Sequence, residues 1–329
     1  MNISKKFTIY FLLVVTLFLG FLFEENSSGG AKIDNQFLLP FIIAISKNFS
    51  KGLDLFFSNG GSLIHSPVFY IFNGYLLKIT NSLIVIQFIN IIISCFIPYI
   101  IYECLKLKYR IDNKTIFYLS LIIFLSPFFR SSAIWLLGDN LSLLFFSMSI
   151  FYYLKTIDEK KMINYFLCLF FLILCCYIRY YYCLFIIYYF FNFIKNDNNN
   201  LLIKLTIFCF LCSLPAISYF IYIFENYNFS QLLVNKVSIN YFDNLLIILT
   251  IIFFYIIPFL TFFLKDIFFY YKNRKKIVFS VITFFFISYL IYEIDPNIPY
   301  GGGVFVKLFQ ELNLNILIGL YFISFLSIL

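Results

Sequence analysis

Apolar segments long enough to cross a lipid bilayer recur along the whole chain. A helix needs about 20 apolar residues to span a hydrocarbon core of roughly 30 Å. Ten segments approach or reach that length, which predicts an all-α, polytopic membrane protein with about ten transmembrane helices. The predicted spans are residues 7–23, 82–105, 115–129, 138–154, 162–178, 180–194, 201–223, 244–264, 277–292 and 312–329.

The content of charged residues excludes the main classes of soluble protein. Of the 329 residues, 62% are hydrophobic and only 12% are charged, whereas soluble domains carry about 25% charged residues. Too few charges remain to cover a water-facing surface of this size. A cytosolic enzyme, a nucleic-acid-binding domain and a disordered chain are therefore excluded, and membrane lipids become the expected surroundings.

The positive charge of the chain is explained by its predicted topology. Lys5 and Lys6 precede the first apolar run, which is typical of an uncleaved signal anchor with a cytoplasmic N-terminus. The segments that then face inward hold 16 of the 24 basic and six of the 16 acidic residues, as the positive-inside rule requires. The net charge of +8 thus needs no nucleic acid or other polyanion as partner. The AT-rich codon bias of the composition favours a bacterial inner membrane.

The first outer segment, residues 24–81, is unusually long and holds two short apolar stretches. Residues 37–49 and 66–79 are too short to span and are predicted as interfacial helices. Asp34 and Asn35 precede the first of them, where capping of the helix is one interpretation. A carboxylate at the membrane surface that acts as general base or metal ligand is the other interpretation.

Three further polar residues fall on the same predicted outer face. His65, the one histidine of the chain, either satisfies local hydrogen bonds or binds phosphate and transfers a proton. Asp139 stands at the mouth of the fourth span, where the helix dipole favours an acid. Arg179 separates two aromatic-rich spans, where it either snorkels to the interface or binds a lipid-linked phosphate.

These motifs, in this order, resemble the integral-membrane GT-C glycosyltransferases, including the protein O-mannosyltransferase and lipid A aminoarabinose transferase branches. That family carries an Asp-Glu motif in the first outer loop, followed by an interfacial helix and a His-Pro-Pro-Leu-Tyr-like stretch. The counterparts here are Asp34-Asn35 and the stretch His65-Ser66-Pro67-Val68-Phe69-Tyr70. Asp139 and Arg179 are similar to the family's Asp at the fourth span and Arg after the fifth. Asn35 and Ser66 depart from the expected Glu and Pro.

The resemblance implies transfer of a sugar from a polyprenyl-phosphate donor to a lipid, glycan or protein acceptor at the outer face. It assigns Asp34 as the catalytic base, and His65, Asp139 and Arg179 as substrate-binding residues. A divalent metal ion, Mg²⁺ or Mn²⁺, is a further expectation, with Glu24 and Glu25 as candidate ligands. Residues 1–195 would form the catalytic half, and residues 196–329 a variable helix bundle within one integral-membrane domain.

Two other function classes fit the same sequence. A glycolipid flippase or other transporter would use polar groups in a central cavity and helices broken near mid-membrane. A polysaccharide polymerase would also need a large outer loop and outer-face arginines. A non-catalytic assembly subunit is a further alternative, and the sequence leaves the sugar and the acceptor open.

Overall fold

The protein is helical throughout the residues that its structure describes. The computed structural model describes residues 3–28, 30–58, 66–196 and 199–226, which lie in one compact unit, Met1–Leu232. Two short 3-10 segments, Ile122–Leu125 and Tyr180–Cys183, join helices in this unit. The α-helices are α1 (Ile3–Leu22), α2 (Ala31–Lys47), α3 (Phe49–Ser58), α4 (Val68–Thr80), α5 (Leu83–Lys108), α6 (Asn113–Leu121), α7 (Pro127–Ile134), α8 (Gly138–Glu159), α9 (Met162–Ile178), α10 (Leu184–Asn196) and α11 (Asn199–Asn226).

Three helices in the described part of the chain are long and apolar enough to cross a membrane. They are Lys5–Leu22 in α1, Leu83–Lys108 and Asn200–Tyr222 in α11, and each covers a predicted span. For the described residues, the prediction of an all-α fold with helices long and apolar enough to span a membrane is therefore confirmed. The count of about ten spans stays a prediction, and the predicted spans 244–264, 277–292 and 312–329 lie outside the described residues.

The predicted span 115–129 is not one straight helix. Instead α6 leads through a 3-10 turn into α7, and the two parts are bent by 65°. The extended backbone of Ser126 ends the first part, and its hydroxyl accepts a hydrogen bond from the Phe129 N–H at 3.2 Å. Pro127 then occupies the first turn of α7, a position that suits proline. The Ser-Pro pair therefore starts a new helix and does not continue the old one.

The first outer segment folds into three helices, one more than the sequence predicted. The first, α2, begins at Ala31, so Asp34 lies in its first turn and Asn35 is buried, 5% exposed. The predicted cap at Asp34-Asn35 is therefore wrong. The chain turns at Asn48 into α3, which packs back on α2, and α4 also packs on α2. An apolar cluster holds this group together: Leu38, Phe41, Ile45, Phe56, Tyr70 and Leu77.

The contact between α2 and α3 depends on a residue without a side chain. A Cβ added at Gly52 would lie 2.4 Å from the backbone nitrogen of Ile45 and 2.5 Å from its Cα. We expect Gly52→Ala to lower the free energy of unfolding by about 2 kcal/mol. The new methyl group would clash with backbone atoms, which cannot move aside as the end of a flexible side chain can. Thermal unfolding of the purified protein in detergent measures the change.

Gly30 supplies the matched control for that substitution. A Cβ at Gly30 meets nothing within 4 Å, and its φ of −107° is open to any residue. Gly30→Ala should leave the melting temperature within the error of the measurement. Equal losses in the two variants would contradict the close packing of α3 on α2.

Polar groups gather at the two opposite ends of the helices. At one end the Lys6 ammonium donates to the Asn113 carbonyl at 3.3 Å and lies 5.7 Å from the centre of the Tyr102 ring. At the other end α1 runs into Glu25, which pairs with Arg130 of α7. We call these the Lys6 end and the Arg130 end. Lys6 and Asn113, both predicted inside, thus lie at one end, while Glu25 and Arg130, both predicted outside, lie at the other.

Candidate functional site

The candidate site centres on an ion pair between the start of α8 and the end of α9. A terminal nitrogen of Arg179 lies 2.8 Å from Asp139 Oδ1 and 2.9 Å from Asp139 Oδ2. The Arg179 side chain is 16% exposed, whereas that of Asp139 is 43% exposed. Burial opposes the positive charge, but the Asp139 carboxylate outweighs this effect and raises the pKa of Arg179. Arg179 therefore keeps its positive charge at neutral pH.

Asp34 of α2 joins this pair from a distant part of the chain. Partial desolvation raises the pKa of Asp34, and repulsion by the nearby Asp139 carboxylate raises it further, while Arg179 opposes the shift. Asp34 is nevertheless an exposed residue, so solvent reaches its carboxylate. A carboxylate with a raised pKa is a stronger base than an ordinary one. Asp34 is therefore a solvent-accessible carboxylate that can act as a base.

Tyr70 completes the group, and sequence reasoning gave it no role. Its side chain is only 3% exposed, and burial raises the pKa of its phenol. Arg179, Asp139 and Asp34 all act on it electrostatically. The phenol therefore stays protonated at neutral pH and can donate a hydrogen bond. The one available signal was its position at the end of the His65–Tyr70 stretch.

Close packing brings the start of α8 against the end of α9. A Cβ added at Gly138 would lie 3.0 Å from Ile178 Cγ2 and 3.3 Å from Phe69 Cγ. Just before it, buried Leu136 adopts a left-handed backbone with a φ of 50°, which costs a residue with a Cβ about 1–2 kcal/mol. The strained turn at Leu136 and the absence of a side chain at Gly138 allow the two helix ends to approach closely. Asp139, which follows Gly138, and Arg179, which follows Ile178, therefore come into contact.

A buried network of amides and hydroxyls holds that turn in place. Asn140 donates to the hydroxyl of Ser94 and to the carbonyl of Phe129, both at 2.9 Å. Asn90 donates to the carbonyl of Ser132 at 2.9 Å, and Ser94 donates back to the Asn90 carbonyl at 2.8 Å. Asn140 and Asn90 thus satisfy backbone carbonyls of α7, the second part of the broken helix. The network therefore fixes the chain on both sides of the α7–α8 turn.

Glu24 and Glu25 have different partners from those the sequence predicted. Glu25 accepts a hydrogen bond from Arg130 Nε at 2.7 Å and forms an ion pair with a terminal nitrogen of Arg130. These contacts lower the pKa of Glu25. Glu24 pairs with Lys32, whose ammonium lies 5.2 Å from the centre of the Trp135 ring. Each glutamate thus has a cation, and neither fits a shared metal ion. The described residues contain no group of three or more His, Cys, Asp or Glu side chains that could bind a metal.

The structure brings Asp34, Asp139 and Arg179 together, while His65 lies outside the described residues. Arg130 is a residue that sequence reasoning missed as a partner, although Glu25 and Arg130 are opposite charges on the same predicted face. The chain matches no protein-family model, no curated protein and no solved structure.

Proposed function

We propose that the chain is an integral-membrane glycosyltransferase that moves a sugar from a polyprenyl-phosphate carrier to an acceptor at the outer membrane face. The observation that carries the proposal is the meeting of Asp34, Asp139 and Arg179. These residues come from three separate segments, and they meet at the Arg130 end, where the predicted topology puts the outer surface. A base and a cation in one place are what transfer from a phosphate-linked sugar requires.

In this proposal Asp34 takes the proton from an acceptor hydroxyl. The acceptor oxygen forms a bond to the anomeric carbon of the sugar, and the bond from that carbon to the phosphate oxygen breaks. The electron pair leaves with the polyprenyl phosphate, whose added negative charge Arg179 stabilises. The raised pKa of Asp34 supports its role because a stronger base accepts the proton more readily.

Asp139 has a supporting part in the same proposal. The sequence alone assigned it to substrate binding, but its carboxylate is engaged with Arg179. We infer that it holds the guanidinium at the site until the carrier phosphate shares or displaces it. The acceptor, a lipid, a glycan or a protein, stays open in this proposal, as does the sugar.

A transporter is the second candidate, and the 65° bend between α6 and α7 favours it. Discontinuous helices line substrate paths in many transporters. Here, however, the bend brings Arg130 to Glu25 and Pro127 to Ser27. The broken helix thus contacts the segment after α1, and its side-chain partners account for the bend without a transport path.

Mass spectrometry of surface glycans and lipid-linked precursors separates the candidates. Cells that lack the chain are compared with cells that carry it. A transferase predicts products that lack one hexose- or pentose-sized unit, together with accumulation of the charged carrier. Accumulation of a complete lipid-linked glycan would instead identify a transporter, and shortened chains with intact units would identify a polymerase.

A further inference from the structure

The turn between α5 and α6, at the Lys6 end of the helices, carries an excess of positive charge. Four cations stand on or beside this turn, and all are exposed: Lys106, Lys108, Arg110 and Lys114. The two acids of the same stretch, Glu103 and Asp112, leave a net charge of +2 on residues 103–114. Lys6, which donates to the Asn113 carbonyl, adds a further positive charge.

Both acids of the turn are already engaged. The Asp112 carboxylate accepts from the Thr115 hydroxyl at 2.6 Å and from the Thr115 N–H at 2.9 Å, and these bonds lower its pKa. Glu103 lies 3.9 Å from the Lys106 ammonium. Across the described ranges, no carboxylate lies within 4 Å of the cationic groups of Lys108, Arg110 or Lys114. These three cations are therefore not neutralised by the described part of the chain.

Apolar side chains alternate with the cations on the same turn. Tyr109 is 51% exposed and Ile111 is 45% exposed, on either side of Arg110. The turn is short and defined, because Tyr109 ends α5 through a hydrogen bond to the Leu105 carbonyl and Asp112 caps α6. Cations interleaved with an exposed tyrosine and isoleucine match the interface of a bilayer, where phosphate groups lie beside acyl chains.

We propose that the α5–α6 turn binds the head groups of anionic membrane lipids. The cations contact the lipid phosphates, while Tyr109 and Ile111 enter the adjoining apolar layer. This inference is independent of the glycosyltransferase proposal, since it uses none of the residues at the Arg130 end. The expected consequence is that anionic lipids are enriched over zwitterionic lipids beside this turn.

The α8–α9 turn supplies a matched control. It lies at the same end, because α8 runs parallel to α5: Asn140 meets Ser94, and Ser147 farther along meets Cys104. Residues 155–161 hold three lysines and two acids, for a net charge of +1. Lys161 pairs with Glu159 at 2.9 Å. Two cations can thus be removed from either turn with the same change in net charge.

The experiment measures the fraction of spin-labelled phosphatidylglycerol immobilised by the full-length protein in phosphatidylcholine bilayers. The variants are Lys108→Gln with Arg110→Gln, and Lys160→Gln with Lys161→Gln. We expect the first pair to lower the preference for phosphatidylglycerol over phosphatidylcholine about threefold to tenfold at low salt. The second pair of substitutions should leave at least half of the preference for phosphatidylglycerol intact. In 0.5 M salt the two variants should show the same lipid preference, because salt screens the charges. Equal losses in both variants, or no loss in the first, would overturn the proposal.

Discussion

Replacing Arg130 with Met should be among the most destabilising changes available in the described part of the chain. Arg130 forms two contacts with the Glu25 carboxylate, and it donates to the Thr16 hydroxyl at 2.9 Å and to the Thr16 carbonyl at 3.1 Å. The side chains of Arg130 and Glu25 are only 18% and 24% exposed. Removing the arginine leaves a largely buried carboxylate without its cation, so we expect a loss of about 3 kcal/mol. Thermal unfolding in detergent measures it.

The adjacent pair of Glu24 and Lys32 is the control for this prediction. Glu24 is 66% exposed and Lys32 is 38% exposed, and exposed ion pairs contribute about 0–1 kcal/mol. Lys32→Met should therefore shift the melting temperature far less than Arg130→Met. A similar shift in both variants would mean that the Arg130 contacts do not join α1 to α7.

The lowered pKa of Glu25 also fixes the sign of a pH effect. A depressed folded-state pKa stabilises the protein above the ordinary value of 4.5, and this stabilisation is lost as the pH falls through the lower folded value. The Glu25→Gln variant should therefore be less stable than the natural chain at pH 6, and the difference should narrow below pH 4.5. Melting curves across that interval provide the test.

If the proposed mechanism holds, replacing Arg179 with Met should both suppress sugar transfer and destabilise the protein. The change leaves Asp139 and Asp34 as neighbouring carboxylates without their cation. We expect a stability loss of about 2 kcal/mol, less than for a fully buried pair because Asp139 is 43% exposed. Transfer should fall by at least 100-fold, since the leaving phosphate loses its cation.

A double variant separates these two effects. Adding Asp139→Asn to Arg179→Met removes the repulsion with Asp34, so it should recover part of the lost stability. Transfer should stay absent, because the cation is still missing. Recovery of transfer in the double variant would show that Arg179 acts only through Asp139 and does not contact the carrier phosphate.

The sequence predicted best the elements that are defined by their own composition. The prediction for residues 162–178 matches α9, Met162–Ile178, in both bounds, because Lys161 and Arg179 flank a run that is apolar except for Asn164. The break before α7 was also present in the sequence, since Ser126 and Pro127 form a typical helix start. It was missed because hydropathy alone does not distinguish one span from two packed halves.

The features that could not be predicted from the sequence depend on contacts between segments that are far apart in the chain. Arg179 and Asp139 are 40 residues apart, and no local pattern distinguishes an arginine at the interface from one paired with an acid. Asn35 looked like part of a polar cap, yet it is buried once α4 packs on α2. Tyr70 likewise gains its charged neighbours only through the tertiary fold.

The central claim is that Asp34 accepts the proton in a sugar transfer, and one comparison tests it most directly. The glycan profile is measured in cells that lack the chain and carry either Asp34→Asn or Asp54→Asn at equal membrane levels. Asp54 is an exposed aspartate of α3 in the same outer segment, so it controls for loss of an outer-face charge.

The Asp34→Asn chain should be at least as stable as the natural one at neutral pH, because burial and the Asp139 carboxylate disfavour the charged form of Asp34 in the folded state. The stabilisation linked to that raised pKa is complete below about pH 3.8 and is lost as the pH rises through the higher folded value. The account predicts that Asp34→Asn leaves the glycan without the sugar unit, whereas Asp54→Asn restores it. A full glycan with Asp34→Asn would contradict the account.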